Sequence, residues 1–439
     1  MNDSFKIQGG KPLSGQVTIS GAKNVALKVL IAALLFDSPV TLHNMPQIQD
    51  IHELIALLTQ LGAIITVEKN TLTIDGRNLK QIHIDLDQAS KIRVSFMLFA
   101  PLLYRFNKAT IPNPGGCRLG ARSIDRVIDG LKALGIDVTY DSSTGYYDAT
   151  MLQKPHGSFS FPKPTHTGTE MMIMMSVFGQ DTIVIENAAQ EPEIDDLIDF
   201  LNEGGARISR NGSIITIVGV ATLSQSKPYT IAPDKIEAAT YAVLGIASGG
   251  DVTVSSIPEH FIKSFNETLI KIGAGVEDKG NGTWRYFHQP MIATDIETGP
   301  YPEFVTDWQP LMAVLLTQAK GVSTIHERIF ENRFSYMEEL RKLGAKISYI
   351  EKDIPDPDTH YHFNFDPEKE YQQTIQIQGM HKLHGAVLNV SDLRAGATLA
   401  IAALISKGQS YIHGIHHLQR GYEHFVEKVK ALGGDIQEL

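Results

Sequence analysis

The sequence predicts an α/β (α+β) chain of two globular halves, each assembled from three copies of one strand-and-helix unit. A phrase made of a helix tail, Leu-Gly-Ala-like residues and a β-prone run returns six times, as LTQLGAIITV, LKALGIDVTY, LNEGGARISR, LIKIGAGVED, LRKLGAKISY and VKALGGDIQE. Six other segments are apolar nearly all round, the mark of helices enclosed by a domain. The 439 residues, 43% of them hydrophobic, suffice for two cores of ordinary domain size.

Most repeats open on a pair of short strands, best seen in the first and last copies. IQGGKPLSGQVTIS and IQGMHKLHGAVLNV share Ile, Gln, Gly, Leu, Gly and Val at a constant offset of 370. The enclosed helix comes next: AKNVALKVLIAALLF, KIRVSFMLFAPLLYRF, GTEMMIMMSVFG, DKIEAATYAVLGIA, FVTDWQPLMAVLLTQA and SDLRAGATLAIAALI. In the third of these, Met171, Met172, Met174 and Met175 read as core filling. A strand-like run follows each helix, and then an outer helix that ends at Gly62, Gly135, Gly205, Gly273, Gly344 or Gly433. Glycine there adopts a positive φ without penalty, and the β-branched residues beyond it begin the next strand. The glycines are spaced by 73, 70, 68, 71 and 89 residues. The last interval is enlarged by YIEKDIPDPDTHYHFNFDPEKEY, which reads as an exposed loop.

Composition narrows the function. A formal charge of -10 and a pI near 5.9 argue against a general nucleic-acid binder. The start MNDSFKIQGG has no hydrophobic signal region, and the longest apolar runs are too short to span a bilayer, so a soluble cytoplasmic protein is expected. With one cysteine there is no intramolecular disulfide and no cysteine-based zinc site. The pairs His360/His362 and His416/His417 lack an evident third ligand, and no metal is expected. Walker A, GxGxxG, HExxH and GxSxG patterns are absent.

What distinguishes the repeats is charge at the start of the enclosed helices: Lys23, Arg93, Asp234 with Glu237, Asp307, and Asp392 with Arg394. Carboxylates at such positions serve as ordinary caps. Lys23 and Arg93 are different, because a cation opposes the dipole and needs another reason to be there. A helix start with an added cation suits phosphate or carboxylate. Cys117 lies in the Gly-rich stretch IPNPGGCRLGARSIDR, flanked by Arg118 and Arg122, a setting that favours thiolate and marks a candidate catalytic loop.

SGAKN (20–24), PGGCRLGAR (114–122), ENAAQEPEI (186–194), TDWQ (306–309), FENRF (330–334), SDLRA (391–395) and QRGYE (419–423) together resemble, in order and spacing, the enolpyruvyl transferase family. The resemblance runs from Phe5 to Leu439. It implies a two-domain inside-out α/β barrel built from six βαβαββ repeats, three per domain. Residues 22–231 would form one domain and 1–21 with 232–439 the other, with the active site in the cleft between them. The implied reaction transfers the enolpyruvyl group of phosphoenolpyruvate to the 3'-hydroxyl of UDP-N-acetylglucosamine and releases phosphate, the first committed step of peptidoglycan synthesis. Phosphoenolpyruvate is a co-substrate, and no metal or organic cofactor is implied.

The same resemblance assigns Lys23, Arg122, Arg394 and Arg420 to the anionic donor, since guanidinium forks fit carboxylate and phosphate. It makes Asp307 the acceptor of the hydroxyl proton and Cys117 a proton donor and nucleophile. Asn24, Arg93, Arg122, Asp125, Thr167, Asp307 and Ile329 fall at or beside nucleotide-sugar contacts, and Arg333 and Asp392 lie in matching motifs. The expected partners are these small molecules alone, bound by a monomer. Departures gather on the uridine side: Ser123 replaces a proline, Arg126 an uncharged residue, and THTGTE (165–170) a stretch of which Gly168 is retained. Two alternatives remain open, a paralogue with another nucleotide-sugar acceptor and a degenerate binding protein. A shikimate-directed enzyme lacks a counterpart to the Cys117 loop.

Overall fold

The computed structural model describes residues 3–115 and 124–439. The chain divides into two units, one of residues 21–115 and 124–232 and the other of residues 3–20 and 233–439. In the first, three sheets have the strand orders Tyr229–Thr230, Val40–His43, Thr71–Asp75, Ile64–Glu68; Lys108–Pro112, Tyr146–Thr150, Asp137–Asp141; and Arg207–Asn211, Ile214–Val218, Thr182–Glu186, Ser158–Ser160. In the second they are Gly275–Gly280, Thr283–Phe287, Asp251–Ser255, Ser14–Thr18; Asp295–Glu297, Val322–His326, Thr374–Gln378, Lys346–Tyr349; and Val387–Asn389, Gly408–His413, Ser4–Gly9, Asp435–Glu438.

Each four-stranded sheet carries one parallel edge strand on an antiparallel set. Ser158–Ser160 pairs in parallel with Thr182–Glu186, and a parallel pair needs a crossover, here the His166–Ser176 helix. The first strand of the chain closes the last repeat, Ser4–Gly9 lying antiparallel between Gly408–His413 and Asp435–Glu438. The sheets are open, and each unit encloses apolar helices while others, such as Gln49–Leu61, keep one face in water. In the second unit the Lys235–Ala247, Gln309–Leu316 and Leu393–Ile405 helices are buried along nearly their whole length and pack on one another. Met171, Met172, Met174 and Met175 are fully buried in the first unit. All six corner glycines have φ between 85 and 108°.

Two enclosed helices do not start as α-helices, and in one of them proline explains it. Pro310 has no N–H to offer the Thr306 carbonyl, which instead accepts from Gln309 N–H, so the chain tightens into the 3-10 turn Thr306–Trp308 before the Gln309–Leu316 helix. The other, Phe99–Phe106, is preceded by the 3-10 segment Arg93–Leu98.

The enlarged interval departs from the exposed loop expected of it. Residues 351–359 are largely exposed, but Tyr361 and Phe363 are buried and stack with ring centroids 4.9 Å apart. The His326 and His360 Nε2 atoms are 3.0 Å apart, and Arg328 Nε donates to the His360 carbonyl. Alternation of aromatic and polar residues in HYHFNF lets one side pack on the unit while the other meets water.

Candidate functional site

In the first unit the SGAKN segment enters the Lys23–Ala32 helix through a tight approach to Asn44. A Cβ on Gly21 would lie 1.9 Å from the Asn44 carbonyl oxygen, so only glycine fits there. Lys23 then begins the helix with no side-chain cap before it. Its Nζ is 2.6 Å from Asp50 Oδ2, in the first turn of the Gln49–Leu61 helix, with both side chains nearly buried. This pairing supplies the reason that a cation can stand at that helix start. Asp50 escaped the sequence reading because an acid in a first turn looks like ordinary dipole compensation.

Arg93 starts the 3-10 segment and is half-buried, as are Asn24 and Thr167, the latter in the first turn of the His166–Ser176 helix. Asp125 is exposed at the start of the Asp125–Ala133 helix. Cys117 and Arg122 lie outside the described residues. Beneath Thr167, Lys28 Nζ is 3.1 Å from Glu170 Oε2 and His166 Nε2 is 3.3 Å from Glu170 Oε1. Glu170 is fully buried, and neither of its oxygens receives a well-directed hydrogen bond.

In the second unit Asp307 sits on the 3-10 turn created by Pro310. Arg333 Nη2 donates to its Oδ1 at 2.5 Å and Arg394 Nη2 to its Oδ2 at 3.1 Å. Burial acts to raise the Asp307 carboxyl, but Arg394 and Arg333 overcome it and hold the group well below the usual carboxylate range. The FENRF segment is shaped by its neighbours. Asn332 takes a left-handed φ of 51°, its N–H donates to Gln373 Oε1, and its Oδ1 accepts from Gln372 N–H. Ile329 N–H donates to Glu327 Oε1.

Asp392 is an N-cap in this structure. Its Oδ1 accepts from Arg394 and Ala395 N–H at 2.9 and 3.0 Å, and its Oδ2 accepts from Ser335 Oγ. It thereby fixes the backbone from which Arg394 projects. Asp234 caps the Lys235–Ala247 helix in the same way. Arg420 follows the short His416–Gln419 helix and is half-buried. Among the described residues, no group of three or more His, Cys, Asp or Glu side chains is arranged to hold a metal ion, and no helix is long and apolar enough to cross a membrane. The structure thus places Asp307, Arg333, Arg394 and Asp392 together in one unit, and Lys23 beside Asp50 in the other.

Comparison with known proteins adds the family relation. The model of EPSP synthase (3-phosphoshikimate 1-carboxyvinyltransferase) matches residues 7–429. A UDP-N-acetylglucosamine 1-carboxyvinyltransferase of Desulforapulum autotrophicum is 38% identical over 438 residues, covering 100% of both chains. UDP-N-acetylglucosamine 1-carboxyvinyltransferase 3 of Caldanaerobacter subterraneus subsp. tengcongensis is 39% identical over 435 residues, covering 99% of each. The crystal structure of the enolpyruvyl transferase NikO from Streptomyces tendae superposes with a TM-score of 0.85 at 23% identity, over 100% of this chain and 99% of that one, a likeness of fold.

Proposed function

The chain belongs to the enolpyruvyl transferase family, and from that premise we propose that it transfers the enolpyruvyl group of phosphoenolpyruvate to the 3'-hydroxyl of UDP-N-acetylglucosamine, releasing phosphate, in peptidoglycan precursor synthesis. The observation that carries the reading is Asp307 gripped by two arginines: a carboxylate kept ionised, next to guanidinium groups suited to an anionic donor. The relatives' shared activity supplies the substrates.

In this mechanism C3 of the donor gains a proton while the sugar hydroxyl oxygen bonds to C2 and gives its proton to Asp307. The resulting ketal phosphate loses a proton from C3, the C–O bond to phosphate breaks, and the enol double bond re-forms. Lys23, Arg122, Arg394 and Arg420 are assigned to the donor's carboxylate and phosphate. Asn24, Arg93, Arg122, Asp125, Thr167 and Ile329 are assigned to the nucleotide sugar, and Cys117 to protonation of C3. Asp307, paired as it stands, is a weak base. An anionic donor competes for Arg394, and as that arginine turns to it the carboxylate gains basicity.

The test is phosphate release from phosphoenolpyruvate by the purified protein. Release that depends on UDP-N-acetylglucosamine and persists after chelator treatment is the expected result. Release only with another nucleotide sugar would move the protein to a paralogous reaction, and none with any acceptor would make it a binding protein. A second expectation concerns Cys117, whose thiolate should open the epoxide of fosfomycin, forming a C–S bond as the C–O bond breaks. Intact-mass measurement during turnover should show one adduct, abolished in Cys117→Ser. As further parts of the reading, the protein acts in the cytoplasm as a monomer, the latter checked by light scattering.

A further inference from the structure

Glu327 is fully buried at the end of the Val322–His326 strand, and no role in the reaction falls to it above. Its Oε1 accepts from Thr298 Oγ1 at 2.9 Å, Ile329 N–H at 2.7 Å and Phe330 N–H at 3.2 Å. Its Oε2 accepts from Thr306 Oγ1 at 2.7 Å. Thr306 Oγ1 in turn accepts from Arg333 Nη1 at 2.6 Å, while the other arm of the same guanidinium holds Asp307. The Phe330 ring, whose backbone Glu327 anchors, lies under that guanidinium at 5.1 Å from its centroid.

We propose that Glu327 is a positioning residue for the transfer reaction, setting the Arg333 fork through Thr306 and Phe330 and thereby the placement of Asp307. The inference rests on the function proposed above. A buried carboxylate needs a strong reason to stay charged, and four donors together supply it. Burial pushes the Glu327 carboxyl upward, with Arg333 and the Thr306 hydroxyl acting against that shift. The arrangement has a direction: Thr306 gives its only proton to Glu327, which leaves its oxygen lone pairs facing Arg333. An amide at position 327 would put an N–H donor where Thr306 now finds an acceptor, and reverse that order.

The experiment compares Glu327→Gln, Thr306→Val, Thr306→Ser and the double variant Glu327→Gln/Thr306→Val. Glu327→Gln and Thr306→Val should each lower kcat about tenfold or more, the scale of a small misplacement of a reacting group. The double variant should be no worse than the poorer single one, because both cut the same chain. Thr306→Ser keeps the hydroxyl and should recover most of what Thr306→Val loses. Additive losses with no recovery in Thr306→Ser would overturn the proposal. A second measurement needs no turnover. In guanidinium-resolved NMR, Arg333 should be rotationally restricted in the parent protein and Thr306→Ser, and averaged in Glu327→Gln and Thr306→Val. Unchanged Arg333 signals would also overturn the proposal. If the parent protein releases no phosphate, the functional reading falls and the NMR comparison still decides the role of Glu327.

Discussion

Replacing Asp307 with asparagine is expected to lower kcat by about 10²-fold or more, the usual range for a positioned acid or base, with the fold retained. Asparagine keeps an oxygen that accepts from Arg333 or Arg394, but it has no charge and cannot take the hydroxyl proton. The guanidinium groups are not abandoned, since Arg333 also bonds Thr306 and Arg394 also meets the Tyr422 hydroxyl. A moderate fall in melting temperature should therefore accompany the kinetic loss. The KM for phosphoenolpyruvate supplies the sharper test. On the proposed mechanism Asp307 competes with the donor for Arg394, so removing its charge should leave that KM unchanged or lower it. A variant with lower kcat and weaker donor binding would show Asp307 acting in donor binding rather than as the base. Unchanged kcat would remove it from the mechanism.

The physical origin of each feature decides what could be read from the sequence. The six repeats were legible because each helix-to-strand corner requires a positive φ, and that requirement marks the chain with glycine at Gly62 and its five counterparts. The enclosed helices were legible because full burial leaves apolar residues on nearly every face, with few charges such as Lys28 and Glu170 among them. Their 3-10 beginnings were less visible, since the one before Gln309–Leu316 depends on where Pro310 falls relative to the Thr306 carbonyl. Asp307 and Arg394 stood out by motif, but their ion pair joins residues 87 apart and leaves no local trace. Glu327 had less still, being a single acid after a strand, and its four donors come from three separated segments. Tyr361 and Phe363 read as exposed loop because their neighbours are polar, whereas their packing is set by tertiary contacts such as the His326–His360 link. Asp392 combines two readings, since it caps a helix and by doing so aims Arg394.

The enclosed helices of the first unit hold a second buried charge pair, and it predicts the largest stability effect. Lys28 and Glu170 are 5% and 0% exposed, so neither charge is solvated and each depends on the other. Lys28→Met fills the same space but leaves Glu170 with His166 as its remaining close cation. The expected loss is about 3–5 kcal/mol, the range for breaking a buried pair from one side. A second substitution, Glu170→Met, removes the stranded charge and should restore much of the stability, since apolar replacement of a whole buried pair is often neutral. Burial acts to lower the His166 pKa, but Glu170, helped by Glu191 and opposed by Lys28, brings it above the ordinary imidazole value. A raised folded-state pKa contributes stability that is complete below the unfolded value and is lost as pH rises through the folded one. In Lys28→Met the cationic His166 carries more of the pairing, so the deficit should be smaller near pH 6 and deepen toward pH 9. Denaturant titrations at both pH values, on the single and double variants, measure this directly. A Lys28→Met protein as stable as the parent at pH 9 would show that the Lys28–Glu170 contact does not hold the fold together.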